Sequence, residues 1–155
     1  MKKSYIFPVL LLGGTILFSS CNGSTTSTET MEARLIGDTW SFDDVCFNPK
    51  GATPSSDVTE NWDQYRINFF QDYTLDWVDT DAQDTLPGFW YVYEDYEWDA
   101  EDQQNELVQT LEITVYEPGG NGERYIVWED PYVGTKRIKA RQKTGTGTYK
   151  FDLRR

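Results

Sequence analysis

From Tyr65 to Arg154, apolar and polar side chains alternate in short runs separated by clusters of Gly, Pro, Asn and Asp. A two-residue period belongs to half-buried β-strands and not to a helix, whose apolar residues recur every three or four positions. Leu107 to Glu117 shows it most clearly, with Leu107, Leu111, Ile113 and Val115 on one face and Thr110, Glu112 and Thr114 on the other. Tyr65 to Gln71 sends Tyr65, Ile67 and Phe69 to one face, and Thr74 to Thr80 does the same with Leu75 and Trp77. Gln71-Asp72-Tyr73 is the hairpin turn between these two strands. Gly88 to Trp98 is apolar on both faces at its start, so its period does not orient it. Strands are also expected over Leu35–Phe47, Arg124–Glu129, Thr135–Lys143 and Thr148–Arg154, the last carrying Tyr149, Phe151 and Leu153 inward.

These eight strands, joined mostly by short turns, must hide their edges by closing into an up-and-down barrel or by stacking as two sheets. The eight-stranded antiparallel barrel is the expected fold. No segment shows a sustained helical period. Such a barrel is just wide enough to be filled by side chains or to hold one small ligand.

The N-terminal segment has a different composition. Lys2 and Lys3 precede an apolar stretch from Ile6 to Phe18 that is too short to span a bilayer comfortably, and the small residues Ser19 and Ser20 follow. This is the pattern of a secretory signal over residues 1–20. Leu17-Phe18-Ser19-Ser20-Cys21 resembles the lipobox of bacterial lipoproteins. The resemblance implies that Cys21 is acylated and begins the mature chain, so that the protein sits in the cell envelope of a Gram-negative bacterium, expected at the outer membrane. Each acyl CH₂ adds about 0.8 kcal/mol of burial, so several chains hold firmly. The ordinary secretory alternative leaves Cys21 as a free thiol. Ser, Thr, Gly and Glu dominate the eleven residues Asn22 to Glu32, which fully stretched would reach roughly 35 to 40 Å, so residues 21–33 read as a flexible tether. One domain over 34–155 is expected after it.

Both signal lysines are lost on cleavage, which leaves 26 acidic against 12 basic residues and a formal charge of −14. That balance argues against nucleic acid and against lying flat on anionic lipid. Lys136, Arg137, Lys139, Arg141, Lys143, Lys150, Arg154 and Arg155 concentrate the basic charge at the C-terminal end. They read either as an anion site or as cross-strand partners of acidic neighbours. The chain has no histidine, which removes Ser-His-Asp and Cys-His catalysis and histidine-ligated zinc or haem. With Cys21 acylated, Cys46 is the remaining thiol and cannot form an internal disulfide; a small buried apolar role suits it better than a nucleophilic one.

Asp76, Asp79, Asp81 and Asp84 form one acidic run and Glu94 to Asp102 another. Neither has the glycine and terminal glutamate of a calcium loop, so both read as solvated turns and no metal or cofactor is expected. No pair of carboxylates stands out for glycosidase chemistry, and the protein is read as a non-enzyme. Trp62, Trp77, Trp90, Trp98 and Trp128 have two readings: a flat exposed patch for a glycan, or convergence on the interior.

Leu35-Ile36-Gly37-Asp38-Thr39-Trp40, Ile67 to Leu75, Gly88-Phe89-Trp90 and Tyr149 to Arg154 together resemble the lipocalin-like domains of small bacterial lipoproteins. The chain departs from that family at its signature: two residues, not one, separate Gly37 from Trp40. The resemblance implies a barrel whose base is closed by Trp40, with Arg154 packed over it, and a cavity for a small apolar or amphipathic ligand. By strand parity, Ile67, Phe69, Leu75, Trp77, Trp90, Leu111 and Ile113 are the residues expected to line it. A non-catalytic surface interaction or glycan-binding role is the alternative.

Overall fold

The computed structural model describes residues 27–51, 54–99, 103–120 and 122–155. The expected signal and Cys21 lie outside them. A helix, α1 (Thr28–Leu35), precedes nine strands: β1 (Thr39–Pro49), β2 (Ser56–Asp57), β3 (Tyr65–Phe69), β4 (Thr74–Asp79), β5 (Asp84–Asp99), β6 (Gln104–Tyr116), β7 (Glu123–Val133), β8 (Arg137–Lys143) and β9 (Gly147–Arg154). The named strands all pair antiparallel, and one isolated parallel bridge joins Ile36 to Phe69. From β3 to β9 the strands follow sequence order, and β1 pairs with β3 on one side and β9 on the other, so that the sheet closes in a ring. The two-residue β2 attaches to the end of β1 and makes nine strands of the expected eight.

Alternation fills the ring. Trp40, Ile67, Trp77, Trp90, Leu111 and Ile138 are fully buried within it. Two bulges adjust the parity. On β1, Phe42 pairs with Leu153 and Asp44 with Asp152; the extra residue, Asp43, lets Phe42 and Val45 both face inward. On β7, Asp130 has φ 44° and an extra residue separates Glu129 from Tyr132, so that Trp128 and Val133 are both buried.

α1 departs from the sequence expectation, which ran a flexible tether through Ala33, the domain from Arg34 and a first strand from Leu35. Eight residues with only Met31 and Leu35 large and apolar show too short a period to stand out. The helix exists because it is used as a plug. Met31 and Leu35, four residues apart on one face, are completely buried against the ring, each contributing roughly 1.5–3 kcal/mol. Ser27 caps it by accepting from the Thr30 N–H. Arg34 Nη1 donates to the Val133 carbonyl at 2.8 Å and the Trp40 indole donates to the Leu35 carbonyl at 2.9 Å. These bonds place α1 at the end of the ring where β1 begins and β7 ends. Among the described residues no helix is long and apolar enough to cross a membrane.

Trp40 does lie at this closed end, but the cation over it is Arg155, with its guanidinium carbon 4.6 Å from the ring centroid. Arg154, the expected partner, faces outward and pairs with Asp43 at 2.8 Å. Parity selects Arg155: Phe151 and Leu153 point inward, so the next inward position is 155.

Candidate functional site: a cup at the unplugged end

The end opposite α1 is where β1 finishes and β3, β7 and β9 begin. The inward positions at these strand ends are Phe47, Tyr65, Arg124 and Tyr149, continuing the parities of Val45, Ile67, Ile126 and Phe151. A 3-10 turn (Thr59–Asn61) after β2 brings Val58, Asn61 and Trp62 over one side. Thr59 anchors that turn: its hydroxyl accepts from the Val45 N–H at 2.9 Å and donates to Asp57 at 2.7 Å. Accepting from both the hydroxyl and the N–H of Thr59 holds the Asp57 carboxyl below its usual range.

Together these side chains enclose a cup of about 380 Å³. Its walls are aromatic: Phe47 and Tyr149 pack at 4.6 Å between centroids, Trp62 and Tyr149 at 5.9 Å, and Trp62 and Tyr65 at 6.4 Å. The cation among them, Arg124, sits 5.6 Å over the Trp77 ring and bonds Glu117 through Nη2 at 2.8 Å. Trp77 lies directly beneath, 5.6 Å from Tyr65. Chemically, the cup offers flat apolar walls for a ring or short chain and the remaining guanidinium donors for an acceptor or anionic group.

The seven residues expected to line a cavity are all brought together inside the ring. Ile67 is paired with Trp77, Phe69 with Leu75 and Trp90 with Ile113, and all seven are no more than 1% exposed. They pack against one another; Phe69 and Trp90, for example, meet edge to face at 5.5 Å. Trp77 is buried below the cup, with Arg124 of the cup lying over its ring. Phe69 borders a shallow cleft of about 400 Å³ at the plugged end, with Gly37, Asn68 and Gln71. Two of the buried indoles, Trp77 and Trp128, have an N–H with no hydrogen-bond partner among the described residues. Parity pointed to this interior and put Tyr65 and Tyr149 on its faces, but none of the cup's residues was among those expected to line a cavity; Phe47 and Arg124 continue the same parity at their strand ends, whereas Val58 and Asn61 come from the turn after β2, where parity gives no signal.

A second cleft, of about 340 Å³, runs along the outer wall across β7, β8, β9 and β1, lined by Cys46, Tyr132, Lys139, Arg141, Lys150 and Asp152 among others. Much of its charge is matched: Arg141 pairs with Asp130 at 3.1 Å, and Arg137 with Asp152. Lys143–Glu129 and Arg155–Asp38 continue the pattern, so five of the eight C-terminal cations, with Arg154, are cross-strand or local partners of acids. Cys46 is half-buried on this wall, and partial burial with the Asp44 carboxylate beside it pushes its thiol up, away from a reactive thiolate.

In the first acidic run, Asp79 accepts from the backbone N–H groups of Asp81 and Ala82. Among the described residues no three Cys, Asp or Glu side chains are grouped closely enough to hold a metal ion. No family model matches the chain, and no curated protein or solved structure matches it either.

Proposed function

We propose that this chain is an exported, lipid-anchored, non-enzymatic protein whose closed sheet is a lipocalin-like barrel binding a small amphipathic ligand in the cup. The observation that carries the reading is the cup itself: aromatic strand ends around one guanidinium, at the end that α1 does not plug. Its volume lies at the small end of the roughly 300–1,000 Å³ usual for ligand pockets. An apolar body fits between Trp62, Tyr65 and Tyr149, with its polar group on Arg124. The packed residues below, Trp77 included, hold the cup's shape. The anchor at Cys21 is supported by the charged start, apolar stretch and small residues before the cysteine.

Titration with anilinonaphthalene sulfonate, an aromatic anion, tests the reading. Trp62→Ala and Arg124→Gln should each weaken binding about tenfold or more, equivalent to about 1.4 kcal/mol. Tyr132→Ala, on the outer wall, should leave it unchanged. Equal binding in all variants contradicts the cup as the site.

One observation favours a second reading, a glycan-binding or other surface role. The outer wall carries exposed rings in contact: Tyr73 stacks on Tyr91 at 5.9 Å, and Phe89 meets Tyr116 edge to face at 5.9 Å. Retention on immobilised polysaccharide, lost in Tyr91→Ala and kept in Trp62→Ala, would favour it. The tryptophans do not make that patch, because Trp77, Trp90 and Trp128 are buried in the ring.

A further inference from the structure

The β5–β6 hairpin is longer than the ring that contains it. β4 pairs with β5 only as far as Phe89, and β7 pairs with β6 only from Thr110, whereas β5 and β6 stay paired out to Asp99 and Gln104. Residues 94–99 and 104–109 therefore project as a two-stranded ribbon, about 20 Å long at ~3.4 Å per residue. It leaves the ring at the end plugged by α1, where β5 finishes and β6 begins.

The ribbon has two unlike faces. Tyr96, Trp98 and Leu107 continue the inward parity of the ring, yet they are 69%, 63% and 37% exposed. Tyr96 lies opposite Leu107 in the register, so the apolar groups form one patch. Asp95, Glu97 and Glu106 occupy the other face.

We propose that the Tyr96–Trp98 face rests in the headgroup layer of the bilayer that holds the Cys21 anchor, an inference that depends on the lipid-anchor reading above. Chain length argues for it. Ser27 caps α1, and α1 is fixed to the ring by Met31, Leu35 and the Arg34–Val133 bond, so only the six steps from Cys21 to Ser27 separate the anchor from the folded domain. Six residues reach at most about 20 Å. The bilayer surface is thus held within a ribbon's length of the end from which the ribbon projects. Tryptophan and tyrosine are the side chains that favour the bilayer interface, where the ring is sheltered and its N–H or O–H stays wet. The acids on the opposite face select an uncharged surface, such as phosphatidylcholine or phosphatidylethanolamine, over an anionic one.

Tryptophan fluorescence reads this contact, because Trp40, Trp77, Trp90 and Trp128 are buried and Trp62 lies at the far end in the cup. The full chain is purified in its acylated form, its mass checked at Cys21, and reconstituted into vesicles of phosphatidylcholine with brominated acyl chains. Brominated lipid should quench the native protein and not Trp98→Tyr, an exposed substitution that leaves the core intact. Iodide quenching of the Trp98-dependent emission should fall at least about twofold relative to soluble Cys21→Ser protein. Replacing half the lipid with phosphatidylglycerol should weaken both effects. An acylated protein whose Trp98 remains open to iodide and untouched by brominated lipid overturns the docking and leaves the anchor standing. An unacylated Cys21 overturns both.

Discussion

The indole N–H of Trp40 donates to the main-chain carbonyl of Leu35 at 2.9 Å, tying the last residue of the plug helix to the first buried residue of the ring. Arg155, from the other end of the chain, covers the same indole and also bonds the Arg34 carbonyl. The helix, first strand and C-terminus are thus closed over one another by a single side chain and its two neighbours.

Trp40→Phe should therefore destabilise more than its lost volume alone requires. It leaves the Leu35 carbonyl without its donor, a cost of roughly 1–3 kcal/mol. Trp77→Phe removes as many atoms from an equally buried site, but its N–H has no protein partner. Urea unfolding of the two variants should show Trp40→Phe as the less stable by about 1 kcal/mol or more. Equal midpoints would mean the plug bond contributes nothing.

Two strand glycines hold the ring closed by what they lack. A Cβ on Gly147 would stand 2.3 Å from the Asn48 carbonyl and 2.8 Å from the Phe47 ring, across the β1–β9 seam. A Cβ on Gly88 would stand 2.2 Å from the Thr114 carbonyl. The obstacles are backbone atoms, so alanine at either position must push strands apart, with an expected cost of about 1–3 kcal/mol. Gly145→Ala, which meets nothing within 4 Å, is the matched control. Thermal unfolding separates them.

On the outer wall the Glu112 carboxylate accepts from Tyr93 at 2.7 Å and also from Tyr125, which pushes both phenols up, Tyr125 to about 12. The hydrogen bond to Glu112 is the main cause in each case, with partial burial and the carboxylate's charge adding to it. The folded state thus holds these protons more tightly than the unfolded chain. Their contribution to stability is complete below about pH 10, the ordinary tyrosine value, and is lost as pH rises through the folded-state values. Spectrophotometric titration should show two tyrosines ionising late in the native protein. Glu112→Gln should return both towards pH 10. Unchanged late ionisation in that variant contradicts the shared bond.

Parity was the legible part of this fold. It placed Ile67, Phe69, Leu75, Trp77, Leu111 and Ile113 inside, because a two-residue period has only two phases and the apolar one turns to the core; Trp90, on a strand whose period has no apolar phase to choose, is buried as well. It also carried the correct residue over Trp40, had it been followed from Phe151 through Leu153 to 155. α1 was hidden by length and polarity: its signals were a Ser27 cap, Met31 and Leu35 four apart, and Glu29 and Arg34 suited to the two ends of the helix dipole. The cup was not legible at all as a site. It combines the ends of four strands with Trp62 from a loop, and which ends share a rim depends on the register of β1 against β3 and β9.

Native mass spectrometry of the protein purified from its own host weighs the cup reading without choosing a ligand in advance. A bound amphipathic species, carried by the native protein and lost in Trp62→Ala, is the expected result. An unliganded mass, with no binding of anilinonaphthalene sulfonate by the same preparation, would contradict the ligand-binding cup.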